Sequence, residues 1–322
     1  MTERIRGLLE AHQVRIYFFA IISGALLGIA IPGTGALEAA INPALAVMLF
    51  ATFLQVPLAQ IGIALRNVRF LTALLSTNFI IMPAIVWGLV QLLPDDSMLR
   101  LAVLFVLLTP CIDYVITFTH LGQGNARLLL AMTPILLLLQ MLLLPLYLSA
   151  ILGSEVSNLV QAGPFLHAFV WLIVIPLVLA AITQFIAKRT RPGAQLLEWL
   201  NVLPVPATAL VLFVVLISVM PQIGNAQQAA LSAAPIYILY AMIAPLAGRL
   251  VGRGLRLEPA AARAVSFSAS YRNSLVILPL AFAVPGGVPL LPAVILTQTI
   301  VELVFLPLYV RWIPKLAQVQ SS

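Results

Sequence analysis

Two stretches of this sequence hold most of the side chains that could do chemistry. The first is Thr109-Pro110-Cys111-Ile112-Asp113-Tyr114, followed by Thr117, Thr119 and His120. The second is Ser266-Phe267-Ser268-Ala269-Ser270-Tyr271-Arg272-Asn273-Ser274. Pro110 removes a backbone donor and clashes one turn back, so it opens a helix at that point. The serines and Asn273 can satisfy a second break with side-chain hydrogen bonds, and a shift of 162 residues sets Pro110 on Arg272 and Cys111 on Asn273. Around these stretches the chain is apolar, and a charge at the centre of a membrane helix costs about 2.5–3.5 kcal/mol. Asp113, Arg272 and Glu302 are the deep charges here. Such residues pair with one another or line a pathway. One reading is an Asp113–Arg272 ion pair that pins two crossing elements. In the other, Arg272 holds an anionic substrate or replaces a bound cation, and a proton neutralises Asp113.

Further assignments complete the candidate set. Glu302, with Gln140 as its counterpart under the same shift, is either a packing hydrogen bond between helices or a proton carrier beside the crossing. Ser268 is assigned with them to coupling or gating. Ser270 and Asn273 are assigned to substrate binding with Cys111, Asp113 and Arg272. Cys111 directly follows the helix-breaking proline; a lone cysteine is otherwise a small buried hydrophobe.

The elements that position these residues must be membrane helices. Of the 322 residues, 62% are hydrophobic and only 8% charged. An average globular chain carries roughly 25% charged residues, so this one has too little polar side chain to cover a soluble surface. An apolar run of about 20 residues crosses the hydrocarbon as a helix, with every backbone group satisfied internally. The runs here are continuous rather than alternating, which excludes barrel strands. They predict ten spans, over 14–32, 41–57, 70–93, 101–121, 128–152, 165–187, 203–223, 231–251, 261–284 and 288–313.

The net charge of +7 belongs to this arrangement rather than to nucleic-acid binding. Fifteen of the seventeen Lys and Arg residues fall on one side if the N-terminus is cytoplasmic; Arg100 falls on the other, and Arg272 lies inside a span. The positive-inside rule then places both termini in the cytoplasm of a plasma (inner) membrane protein.

The second half repeats the first. At the 162-residue shift, Leu144-Pro145-Leu146-Tyr147 falls on Leu306-Pro307-Leu308-Tyr309, Pro83 on Pro245 and Gly124 on Gly286. The duplicated unit holds five spans, an odd number, so its two copies, 1–160 and 161–322, are inverted in the membrane. Inverted repeats with broken helices meeting at a central site are a transporter architecture.

The stretch from Pro110 through Leu121-Gly122-Gln123-Gly124-Asn125, with Ser268 to Leu275, resembles arsenite efflux permeases, which share a superfamily with the bile acid:sodium symporters. The resemblance implies an all-α, ten-helix fold in which broken helices 4 and 9 cross in a core domain beside a panel domain. It also implies that Cys111 handles trivalent arsenic, since soft sulfur suits a soft metalloid. Two departures stand out: the permeases carry a Glu in the ninth span that is missing here, and Arg272 stands where they have a neutral amide. The symporters' sodium ligands fall on Val115, Ile116, Ser268 and Arg272, and neither hydrocarbon nor a guanidinium coordinates a hard cation.

The expectation is a secondary transporter exporting a trivalent metalloid such as arsenite in exchange for protons; the alternative is a carrier of a small organic anion coupled to protons or sodium. No cofactor is expected. His12, His120 and His167 share no metal-ligand spacing and one cysteine cannot make a disulfide, so no metal site or disulfide is expected. The absence of HExxH, GxSxG and GxxxxGK[ST] motifs argues against an intramembrane enzyme.

Overall fold

A computed structural model of the chain describes residues 2–56, 66–112, 114–153, 166–167 and 169–318. In chain order the helices are α1 (Thr2–Ala30), α2 (Ile41–Leu54), α3 (Val68–Val90), α4 (Ser97–Leu107), α5 (Val115–Leu121), α6 (Ala126–Leu152) and α7 (Val170–Arg189). They continue with α8 (Arg191–Leu200), α9 (Pro204–Val219), α10 (Gln227–Gly254), α11 (Pro259–Ser270), α12 (Ser274–Phe282) and α13 (Leu290–Gln318). Several begin where a short polar side chain can take an orphan amide. Asp96 accepts from the amides of Met98 and Leu99, Asn125 from Leu128, and Thr190 from Gly193. Among the described residues the sheet content is a single isolated bridge, between Pro110 and Arg272.

Among the described residues seven helical stretches are long and apolar enough to cross a membrane, α2 being so only together with the turn before it as Thr34–Leu54, and α8 with α9, bent by 42°, would form an eighth. The predicted span over 101–121 divides into α4 and α5, and that over 261–284 into α11 and α12. The first helix begins at Thr2 rather than near residue 14. Its basic lead-in continues the helix, helped by the Arg6–Glu10 pair one turn apart at 2.7 Å.

The chain forms two compact units, each assembled from three separate stretches of sequence. One comprises Met1–Gln55, Val160–Gln227 and Pro279–Ala293. In it α1 lies along α9 at backbone contact. A Cβ on Gly24 would meet the Phe213 carbonyl oxygen at 2.8 Å, and one on Gly28 the Ile217 oxygen at 2.8 Å. This small-xxx-small spacing lets two helices approach where lipid gives no hydrophobic drive for association. Gln184 of α7 donates to the Phe53 and Leu54 carbonyls, satisfying the end of α2.

The other unit comprises Val56–Leu159, Gln228–Leu278 and Val294–Ser322. Here α10 meets α11 just as closely: a Cβ on Gly248 would lie 2.6 Å from the Ser266 Cα, and one on Gly252 2.8 Å from the Ala262 Cβ. A π turn at Thr77–Ile81 interrupts α3. Such a turn leaves carbonyls without their helical partners, and the Tyr147 hydroxyl donates to that of Phe79 at 2.5 Å.

The α1–α9 seam makes a direct test. Gly24→Ala and Gly28→Ala should each destabilise the folded protein by about 1–3 kcal/mol through overpacking. Gly7→Ala, with nothing within 4 Å of the added carbon, should be neutral or slightly stabilising. Thermal melting in detergent reads the difference.

Candidate functional site

The first interruption falls at Pro110 and the second within the polar stretch at 271–273, and each supplies the backbone partners the other lacks. The Cys111 amide donates to the Tyr271 carbonyl at 3.1 Å, and the Asn273 amide to the Thr109 carbonyl at 2.8 Å. These two bonds flank the antiparallel bridge between Pro110 and Arg272. Proline has no amide to offer, so the bridge draws its donors from the residues beside the pair. Thr109 turns its hydroxyl back onto the Phe105 and Val106 carbonyls, and Ser270 onto that of Ser266. The Tyr240 hydroxyl donates to the Ala269 carbonyl at 2.8 Å. Backbone opened inside an apolar protein is tolerated when its polar groups are taken up this way.

Arg272 is fully buried. Its guanidinium donates through Nη2 to Asn78 Oδ1 at 3.1 Å and to the Ala269 carbonyl at 2.6 Å. The guanidinium carbon lies 5.2 Å from the Tyr240 ring centre, within cation–π range. Asn78 sits in the π turn of α3, and its Nδ2 donates to Ser268 Oγ and to the Leu74 carbonyl, both at 3.0 Å. The Nε and Nη1 groups of Arg272 have no hydrogen-bond partner among the described residues. No carboxylate there forms an ion pair with it either; the two ion pairs described are Arg6–Glu10 and Asp95–Arg100. Among the described residues Arg272 is thus a cation held by neutral dipoles and a ring face, with two of its donors unpartnered.

Glu302, on α13, is the second hub. Its carboxylate accepts from the Tyr114 hydroxyl, from the Arg272 backbone amide at 2.8 Å and from Gln298 Nε2 at 2.6 Å. Beside it is a cavity of about 10 Å³, lined among others by Tyr237, Tyr240, Ser270 and Gln298, close to the smallest space that holds one water molecule. Two of its lining atoms, the Tyr237 hydroxyl and Gln298 Oε1, are buried without a protein partner among the described residues, and such orphans are what a trapped water serves.

The structure therefore brings together Pro110, Cys111, Ser268, Ser270, Arg272, Asn273 and Glu302. Cys111 is completely buried within the first break. The Asn273 side-chain nitrogen is buried and unpartnered among the described residues. No hydrogen bond ties Gln140 to them among the described residues: it is buried on α6, and neither of its amide atoms has a partner there. Asp113 lies outside the described residues, and with it the Asp113–Arg272 pair. Sequence reasoning missed Asn78, Tyr240 and Gln298. Asn78 is the one carboxamide within a nearly blank span of α3, and Gln298 precedes Glu302 by one helical turn, so both carried a readable signal. Tyr240 carried none, because a tyrosine in an apolar run reads as core.

The sequence profile described as the sodium bile acid symporter family matches residues 42–231, more than half of the chain. No protein among the curated sequences matches it. Proteins of this family are membrane transporters rather than enzymes, and their name couples transport to sodium. The match begins at α2, covers the whole first break and reaches into α10. On this ground the chain belongs to the sodium bile acid symporter family.

Proposed function

We propose that the chain is a ten-span secondary active transporter of the plasma (inner) membrane, built from inverted repeats at 1–160 and 161–322 with both termini cytoplasmic. In this reading it works by alternating access, with the unit that holds the crossed breaks as core and the other as panel. Its coupling ion is a proton, and its substrate a trivalent metalloid such as arsenite, exported through Cys111. The observation that carries the coupling is the buried Arg272 guanidinium, held by Asn78 Oδ1, the Ala269 carbonyl and the Tyr240 ring. Oxygen donors gathered around a buried positive charge are what a bound sodium ion would need. Here a tethered cation occupies them, which removes the reason to bind a mobile one. A proton then has two carboxylates available, Glu302 and Asp113, with Gln140 and Ser268 tuning the elements that carry them. The thiol of Cys111, placed directly in the first break, suits a soft thiophilic substrate.

A second reading keeps the fold and changes the cargo. The Nε and Nη1 groups of Arg272 have no hydrogen-bond partner among the described residues, and a guanidinium edge is suited to a carboxylate or other oxyanion. Asn273 and Ser270 would then complete the contacts to a small organic anion.

Flux into proteoliposomes separates these possibilities. Flux should follow an imposed proton gradient and ignore a sodium gradient; flux driven by sodium alone overturns the coupling. Arg272→Gln should make flux sodium-stimulated, because a neutral amide vacates the cation's place. With arsenite as cargo, Cys111→Ser should lower flux by about 10-fold or more through loss of the soft ligand. If the cargo is a carboxylate, Cys111→Ser should leave flux near its starting level and Arg272→Gln should abolish it.

Glu302→Gln gives a separate outcome. It keeps the shape and an acceptor for the Arg272 amide but cannot change charge, so exchange without a gradient should persist while proton-driven accumulation is lost.

A further inference from the structure

A second cluster of cations lies apart from the crossed breaks, at the end of α10. Arg249, Arg253 and Arg256 line a cavity of about 250 Å³ together with Gly252, Leu257, Pro259 and Ala262. That is below the roughly 300–1,000 Å³ of a site for a drug-sized molecule, which suits a headgroup rather than a whole amphiphile. Arg249 and Arg253 are one helical turn apart, a spacing at which like charges repel. Arg256 adopts the left-handed region, with φ 50, a conformation that glycine or asparagine takes far more readily than arginine. The Nε of Arg249 and that of nearby Arg263 are buried without a hydrogen-bond partner among the described residues. No carboxylate among the described residues is ion-paired with any of the four. Glu258, the acidic residue of this turn, is exposed and does not line the cavity. The α11 N-terminus begins at Pro259 on the cavity wall and adds the positive end of a helix dipole.

Arginines at the end of a span set orientation wherever they sit, and for that purpose a dispersed, solvated group suffices. Three that line one hollow, half-buried at Arg249 and exposed at Arg253 and Arg256, with no ion-paired acid among the described residues and close helix packing behind them at Gly252, match an anion with several oxygen acceptors. Its source is read from the position. α10 is one of the helices long enough to span the membrane, and Leu250, next to Arg249, is 66% exposed. The cavity lies at the C-terminal end of this helix, the level at which a spanning helix would meet polar headgroups. We propose that the α10–α11 corner is a binding site for the phosphate of an anionic membrane phospholipid, with Arg249, Arg253 and Arg256 as its ligands.

The test uses the purified full chain in detergent, titrated with short-chain phosphatidylglycerol, phosphatidylcholine or inorganic phosphate while its melting temperature is followed. Phosphatidylglycerol should raise the melting temperature saturably, with little effect from the other two. The double substitution Arg253→Gln with Arg256→Asn removes two ligands, and asparagine accepts the backbone at 256, so the fold is kept. It should raise the half-saturating lipid concentration by about 10-fold or more. Lys188→Gln with Lys315→Gln removes the same charge from exposed helix ends elsewhere and should change it by less than about twofold. Equal weakening by both pairs would mean diffuse surface charge and overturn the site. An equal melting shift with inorganic phosphate would assign the pocket to a soluble anion and overturn the lipid assignment, and no shift with phosphatidylglycerol would overturn it outright.

Discussion

An opened helix within an apolar protein needs partners for its backbone, and here two opened helices supply one another. The bond from Cys111 to Tyr271 and that from Asn273 to Thr109 hold one end of each half-helix in place. The buried network of Asn78, Ser268, Arg272 and Glu302 is arranged around them. The half-helix ends α4, α5, α11 and α12 meet at the bridge, and their side chains can then be presented together without any exposed strand edge.

Residue 272 joins that backbone arrangement to the electrostatics. Its amide fixes the Glu302 carboxylate on α13 while its guanidinium reaches Asn78 on α3. One residue thus ties three elements through three kinds of contact: a bridge, a charge-assisted amide bond and a buried cation. The carboxylate is supported from a different direction by Tyr114, which follows the first break. A movement at either break is therefore felt at the carboxylate, and a change of charge on the carboxylate is felt at both breaks. Such reciprocity is what coupling between an ion and a cargo requires. The aromatic packing of Tyr271 against Tyr114, Phe118, Phe267 and Tyr309 surrounds the crossing with stiff side chains that favour discrete arrangements over gradual ones.

Much of this was legible in the sequence, for reasons that differ from residue to residue. Pro110 marked the first break because its effect is local and steric. The second break had no proline and was legible only through its polar density and its register with the first. Glu302 stood out because a charge inside an apolar run is costly. The partners of these residues were harder. That Arg272 lies against Asn78 and Tyr240 depends on how α3, α10 and α11 pack, and no spacing along the chain encodes a contact between residues 78 and 272. Gln140 shows the converse: the 162-residue shift sets it on Glu302, yet neither of its amide atoms has a hydrogen-bond partner among the described residues. The π turn at Thr77–Ile81 was invisible, since a single inserted residue leaves the apolar pattern of the span intact.

The interleaving of the two compact units bears on how the protein is made. One unit requires residues 279–293 and the other requires 294 onward, so neither can close until the last stretches of chain have left the ribosome. Helices made early, α1 and α2 among them, enter the bilayer well before their unit is complete. The glycine face of α1 can dock once α9 arrives. The acceptors of Glu302 arrive after both breaks are already in place. Arg272 is thus translated 30 residues before the carboxylate that takes its amide, and its charge enters a protein whose last helix has yet to pack.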